Sequence, residues 1–350
     1  MTTIYSLSQL GWSPFFQQQI SLDEWEHFIP ARVTANHRSE IELVTESGKH
    51  RLSLLPSMPA LAVGDWILLD SEMRFQRMLE RASLFSRKAA GSKVASQLIA
   101  ANVDTVFVVC SLNNNFSLNR IERYLALVKD AGVEPLVVLT KADLVSDPQQ
   151  YVRQVQAFDS MLMVEAVNAL DPDNREVLMP WCRAGKTVAL LGSSGVGKST
   201  LVNMLMGVES AQTGGIRADD DKGRHTTTAC SMHFMSSGGN LLDTPGMREL
   251  QLADCEQGVE QTFAEIGELA ERCRYADCQH RSEPGCALRA AINAGQLDER
   301  RLDSYLKLMR EQAFNSASLA EKRERDRNLG RFYRTAKRHA SKRKKGDSYS

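Results

Sequence analysis

A chain of 350 residues has room for two or three domains and an ample core. Its 43% hydrophobic and 25% charged content is that of an ordinary soluble globular protein, which excludes fibrous and disordered classes. The formal charge is zero, with 43 Lys/Arg against 43 Asp/Glu, but residues 321–345 hold 12 basic and 3 acidic residues, so the tail is a separate electrostatic object.

The opening Met1-Thr2-Thr3-Ile4-Tyr5-Ser6 has neither the basic nor the apolar region of a signal peptide. No apolar run approaches the ~18 residues of a membrane span. A cytoplasmic protein without membrane contact, acting as a monomer, is expected. Residues 1–30 are a polar and aromatic lead-in with no legible pattern. Short strands come next: Glu40–Val44, a Glu46-Ser47-Gly48 turn, His50–Leu55, a Val63-Gly64-Asp65 turn and Trp66–Leu69. Such spacing suggests a small barrel or sandwich over residues 31–85, an oligonucleotide-binding (OB) barrel being one option. Ser83–Ser96, with Arg87, Lys88 and Lys93 among small residues, resembles a linker.

The register then changes. Val103–Val109 is a buried strand, and Arg120–Ala131 is a helix with Ile121, Tyr124, Leu125 and Val128 on its apolar side. Glu134–Leu139 and Thr187–Leu191 are further strands. Strands alternating with helices predict a doubly wound α/β sheet whose ligands sit at strand C-termini. From about Gln261 the chain turns helical, breaks at a cysteine cluster and ends in the basic tail.

The strand Thr187–Leu191 delivers the chain into Gly192-Ser193-Ser194-Gly195-Val196-Gly197-Lys198-Ser199, which fits G-x-x-x-x-G-K-[ST] at every fixed position, with Thr200 next. Glycines let backbone N–H groups wrap phosphates at a helix N-terminus, Lys198 reaches the β- and γ-phosphates, and the Ser199 hydroxyl suits Mg²⁺. Asp243-Thr244-Pro245-Gly246 follows a strand ending Leu241-Leu242: Asp243 would meet Mg²⁺ through water and the Gly246 amide would sense the γ-phosphate. In isolation that tetrapeptide is also an ordinary turn.

The base-reading element, Thr140-Lys141-Ala142-Asp143, precedes both motifs, whereas an ordinary GTPase has it last. Asp143 can accept from guanine N1–H and N2–H₂, a donor pair adenine lacks. The Lys141 stem would cross the purine face. Thr140 stands where Asn is commoner, so a buttressing hydrogen bond is altered; a capped helix start is the bland alternative. Val167-Asn168-Ala169 is a candidate for the loop that meets guanine O6.

Between the phosphate loop and Asp243 lies Gly214-Gly215 … Asp219–Thr228, a nucleotide-sensing switch by composition. One threonine among 226–228, Thr227 in preference, would reach Mg²⁺. Met247 occupies the place of the usual water-orienting glutamine. His225 is the nearest substitute, and a surface histidine with no role fits it equally well.

Of seven cysteines, three fall in Cys273-x4-Cys278-x-His280-x5-Cys286. Three thiolates and an imidazole suit tetrahedral structural Zn²⁺, with Gly285 allowing the last turn, and four protein ligands leave no open position for catalysis. In the tail, Phe332 and Tyr333 interleave with Arg331, Arg334, Lys337 and Arg338, pairing stacking groups with phosphate-neutralising ones; RNA contact is favoured over a solvated charge run.

The permuted motifs, Gly223-Arg224-His225-Thr226-Thr227-Thr228, the barrel-like segment and the Cys-Cys-His-Cys cluster together resemble the RsgA (YjeQ) family over roughly residues 31–345. The resemblance implies an N-terminal all-β OB-type barrel, a central circularly permuted α/β P-loop GTPase domain and a C-terminal α-helical zinc-binding domain. The corresponding division is a 1–30 extension, 31–85 barrel, 86–255 GTPase domain and 256–350 zinc domain with basic tail. It also implies a GTPase stimulated by the small ribosomal subunit and bound to its rRNA; if the GTP state orders the switch, that state is expected to bind and hydrolysis to release. Thr140, Asn168 and the absence of a basic N-terminal leader depart from that pattern. The alternative, favoured by Met247, is a nucleotide-gated RNA-binding module in which hydrolysis is incidental; a DNA-binding ATPase is disfavoured by Asp143.

Overall fold

β-branched and leucine-rich runs punctuated by turn residues form the N-terminal strands. The computed structural model describes residues 4–88, 96–207, 230–243 and 255–316. Strands β1 (Ile29–Asn36), β2 (Glu40–Thr45), β3 (Gly48–Ser53), β4 (Trp66–Leu69) and β5 (Phe75–Met78) pair antiparallel in the order β3-β2-β1-β4-β5. This is the connectivity of a partly open OB-type barrel, with β1 holding both β2 and β4. Alternate residues Ala31, Val33, Ile41, Leu43, Ile67 and Leu69 fill its interior, as the two-residue period of strands requires.

The lead-in that had no legible pattern is a cap. Its short helices α1 (Pro14–Gln17) and α2 (Leu22–His27) bring Leu10, Trp12, Phe15 and Phe16 onto the outward faces of Val44, Trp66 and Leu68. The expected linker is corrected: β6 (Leu84–Lys88) and β7 (Ser96–Ala101) pair antiparallel, because Phe85, Ile99 and Ala100 belong to the main core.

The barrel is tightly joined to the central sheet. A Cβ on Gly64 would lie 2.0 Å from the Ala101 carbonyl oxygen, so only glycine permits this approach. Arg32, 1% exposed, donates to the carbonyls of Leu10 and Asn102 and to the Thr187 hydroxyl, uniting cap, barrel and sheet. Burial pushes its pKa down to about 10.

That sheet contains β8 (Thr105–Ser111), β9 (Glu134–Thr140), β10 (Met163–Val167), β11 (Thr187–Leu191), β12 (Ser231–Phe234) and β13 (Asn240–Asp243) in the order β10-β9-β8-β11-β13-β12. All are parallel except β12, which runs antiparallel to β13 and bridges to the barrel at Ala35–Ser231. Both faces of β8 are buried, Val106 and Val108 in one core and Phe107 and Val109 in another, which explains its unbroken apolar run. Helices α3 (Leu118–Asp130), α4 (Pro148–Gln156), α5 (Arg175–Leu178) and α6 (Lys198–Met206) pack around the sheet.

Helices α7 (Glu256–Thr262), α8 (Ala264–Ala270), α9 (Ala287–Asn293) and α10 (Glu299–Ser316) complete the described chain. They share a core with the sheet: Val259, Phe263 and Leu302 pack in one cluster with Ile121 and Leu125 of α3. A Cβ on Gly258 would lie 2.0 Å from the Ala126 carbonyl oxygen, which fixes how closely α7 lies on α3. Fully buried Glu122 of α3 accepts from Arg300 and Arg301 of α10 at 3.0 Å each.

Candidate nucleotide site and metal cluster

The C-terminal ends of β8, β9, β11 and β13 meet at one edge of the sheet, and the chemistry-bearing loops gather there. Residues 192–197 connect β11 to α6. Gly195 and Gly197 have φ of 76° and 93°, and a Cβ on Gly192 would lie 2.5 Å from the Val109 carbonyl oxygen, so each glycine answers a backbone demand. The buried Lys198 ammonium donates to the carbonyls of Gly192 and Ser193, which places it inside the curve of the loop. Ser199 and Thr200 occupy the first turn of α6, and Val196 packs into the core beneath. Ser194 and Gly195 are exposed at the loop's tip.

Three side chains from earlier in the chain brace this loop. Thr140, at the end of β9, donates its hydroxyl to the Val196 carbonyl. Lys141, with φ of 59°, donates to the Gly195 carbonyl at 3.0 Å. The Tyr124 hydroxyl of α3 lies 3.3 Å from the Ser193 hydroxyl. The Thr140–Asp143 motif and the glycine-rich loop are therefore adjacent in space despite their order in the chain. The altered buttress expected of Thr140 takes a definite form: the threonine reaches the phosphate loop itself. Tyr124 was legible only as an apolar helix position, and no sequence signal pointed to its polar contact.

Ala142 tucks against the core while Asp143 is exposed at the start of a short 3₁₀ turn. Asn168 follows β10, the neighbour of β9; its side chain accepts from the Leu170 N–H at 3.0 Å, and its own N–H donates to the Asn174 side chain at 3.1 Å. Ala169 is half-buried beside it. Asp243 ends β13 opposite Ser231, next to β11, so it leaves the sheet on the same edge as the phosphate loop. Burial, with the Asp243 carboxylate alongside, pushes the Cys230 thiol up to about 12 and keeps it neutral. His225, Thr226, Thr227, Thr228, Thr244, Pro245, Gly246, Met247 and the basic tail with Phe332 and Tyr333 lie outside the described residues.

The cysteine cluster lies between α8 and α9. The ligand atoms of Cys273, Cys278, His280 and Cys286 all lie within 4.8 Å of one another. Cys273 Sγ and Cys286 Sγ stand 3.6 and 3.7 Å from His280 Nδ1, close to the ~3.5–3.8 Å edges of a tetrahedral zinc site with Zn–S near 2.3 Å. His280 and Gly285 take φ of 61° and 81°, folding the segment back on itself as the glycine foretold. The Ala287 N–H donates to Cys273 Sγ, and Arg289 donates to the His280 carbonyl. The donor set and its spacing fit a tetrahedral metal.

Comparison with known proteins decides the family. The RsgA GTPase family model matches residues 78–253. A protein of Vibrio vulnificus (strain CMCP6) named small ribosomal subunit biogenesis GTPase RsgA 2 is 58% identical over 94% of this chain and 95% of its own length. The chain belongs to the RsgA GTPase family. A second member, small ribosomal subunit biogenesis GTPase RsgA of Mesorhizobium japonicum, is 46% identical over 89% of this chain and 91% of its own.

The fold agrees. YjeQ from Thermotoga maritima superposes with a TM-score of 0.61 at 24% identity, covering 81% of this chain and 98% of that one. YloQ, described as a circularly permuted GTPase, gives 0.56 at 23% identity, covering 83% and 97%. As an RsgA-family member the chain is a GTPase, and its motif order is that of the permuted fold. Among the described residues no helix is long and apolar enough to cross a membrane.

Proposed function

We propose that this GTPase binds the small ribosomal subunit through its rRNA and assists or checks a late step of subunit maturation, binding in the GTP state and leaving after hydrolysis. The observation that carries this reading is likeness to small-subunit biogenesis GTPases along nearly the whole chain, not along the nucleotide domain alone. A monomeric cytoplasmic protein suits it, organised as a cap and OB barrel, a permuted GTPase domain and a helical zinc domain with the basic tail.

In this reading the exposed Asp143 carboxylate accepts from guanine N1–H and N2–H₂, and the Lys141 stem lies along the purine. The half-buried Asn168-Ala169 segment closes the base side. N–H groups of Gly192 to Thr200 wrap the phosphates, and Lys198 turns from its own loop carbonyls to the β- and γ-oxygens. Ser199, Thr227 and, through water, Asp243 would hold Mg²⁺, which supplies charge neutralisation across those oxygens. The Gly246 amide reports the γ-phosphate, and His225 takes the water-orienting place that Met247 cannot fill. Positioned donors lower the barrier because phosphoryl transfer is mainly a matter of geometry and charge. Cys273, Cys278, His280 and Cys286 would hold one structural Zn²⁺.

Steady-state GTP hydrolysis with small subunits, with large subunits and with ATP in place of GTP tests this. Strong stimulation by small subunits, for GTP alone, is expected; stimulation by neither subunit would refute the ribosomal role and leave a nucleotide-gated RNA-binding module. Lys198→Ala should be inert in both settings.

A further inference from the structure

The cap carries a surface that nucleotide chemistry does not use. Residues 1–31 contain no Lys or Arg, and α2 concentrates Asp23, Glu24 and Glu26. On this helix Leu22 is 86% exposed and Trp25 41% exposed, three residues apart and so on one face. Half-buried Trp12 stands 6.0 Å from the Trp25 ring, extending the apolar area, and itself meets Trp66 of β4 edge-on at 4.8 Å.

The helix is held firmly for its length. Ser21 and Glu24 form a complete capping box. Arg77 of β5 donates to both Glu24 oxygens, at 2.7 and 3.0 Å, and to the Gln19 carbonyl at 2.7 Å. Six residues would not stay helical alone. Here they are fastened to the barrel so that their apolar side chains face water. An apolar patch rimmed by charge, with an indole at its centre, is what a protein-binding surface requires.

We propose that this face docks a basic protein segment, rich in Lys or Arg and presenting an apolar side chain between Leu22 and Trp25. The charge argues the partner's class. Glu26 and Asp23, the latter also 3.6 Å from His27, with no Lys or Arg in the cap, repel a phosphate backbone and attract a cationic peptide. The protein thereby meets its target with two chemistries, the cap taking protein and the basic regions elsewhere taking RNA. The proposal rests on the small-subunit reading for where that segment is found, namely on a protein component of the particle.

The test uses full-length protein, a non-hydrolysable GTP analogue and purified small subunits, and the sign of a charge change decides it. Asp23→Asn/Glu26→Lys should weaken binding about tenfold if the partner is basic protein, and tighten it if the partner is RNA. Leu22→Ser should weaken binding comparably; its side chain is almost wholly in water, so the fold and intrinsic GTP hydrolysis stay as they were. Benzoylphenylalanine at position 22 should photocrosslink to a protein of the subunit. Unchanged or tighter binding by the charge variant, or a crosslink to RNA, overturns the proposal. Failure of the unaltered protein to bind small subunits refutes the ribosomal reading instead and takes this surface's partner with it, an outcome visible before any variant is made.

Discussion

Thr140 donates its buried hydroxyl to the carbonyl of Val196, tying the end of β9 to the loop between β11 and α6. Thr140→Val keeps the volume and removes only the donor. It should weaken guanine-nucleotide binding about 2–13-fold, the worth of one hydrogen bond of roughly 0.5–1.5 kcal/mol. Asp143→Ala should act differently, letting ATP compete by removing the acceptor pair rather than loosening the loop. Titration with a fluorescent GDP analogue, competed with ATP, separates the two; an unchanged affinity for Thr140→Val would show that the tie does not support binding.

Glu122 makes α3 the anchor of the C-terminal helices. Its carboxylate is fully buried and bound by two guanidiniums, one of them, Arg301, also donating to Glu265 and to the Thr262 carbonyl. Glu122→Gln would remove the buried counter-charge shared by the two guanidiniums, leaving Arg301 with Glu265 and the partly exposed Arg300 with Asp298, at a cost of roughly 1–3 kcal/mol. Urea unfolding should show that loss as a lower midpoint. Because Tyr124, two residues along, touches Ser193, the same variant should also weaken nucleotide binding; intact stability would mean that water reaches the pair.

The motifs proposed to hold nucleotide stand out because that chemistry demands fixed residue types at fixed spacing, and the structure sets each after a buried apolar strand. Thr187–Leu191 and Glu134–Leu139 matched their strands for that reason. The cysteine cluster was legible in the same way. The cap was not: Leu10 and Phe16 are buried, and Trp12 half-buried, by strands distant in sequence, so no local period marks them. Strand β6 was mistaken for part of a linker because its partner β7 begins only at Ser96 and its Ser86, Arg87 and Lys88 carry little strand preference. Contacts such as Arg32 to Thr187 or Tyr124 to Ser193 join residues far apart in the chain, and side-chain identity alone does not announce them.

The four-residue cluster should bind one metal per chain, and its removal should destabilise the C-terminal helices first. Cys286 caps α9 and is buried against the main core, so the cluster's loss exposes that junction. Cys286→Ser should lower the metal content measured by mass spectrometry and lower the melting temperature, while basal GTP hydrolysis persists. Loss of the metal with no change in melting would separate the cluster from folding; equal metal content in both proteins would remove Cys286 from the ligand set.

The cap's hold on the barrel should weaken in strong acid. Hydrogen bonding from Arg77, followed by the Ser21 N–H, holds the Glu24 carboxyl down at about 2 from an ordinary 4.5. A depressed carboxyl pKa contributes stability that is complete above the unfolded value and is lost as pH falls toward the folded one. The window is therefore between pH 4.5 and about 2, with no effect near neutrality. Across it α2 should loosen from β5, and the emission of Trp12 and Trp25 should shift as their surroundings become wetter. Glu24→Gln retains a side chain able to complete the capping box but carries no charge to titrate. Its emission should lack that transition, and identical acid titrations of the two proteins would show that the ion pair does not hold the cap in place.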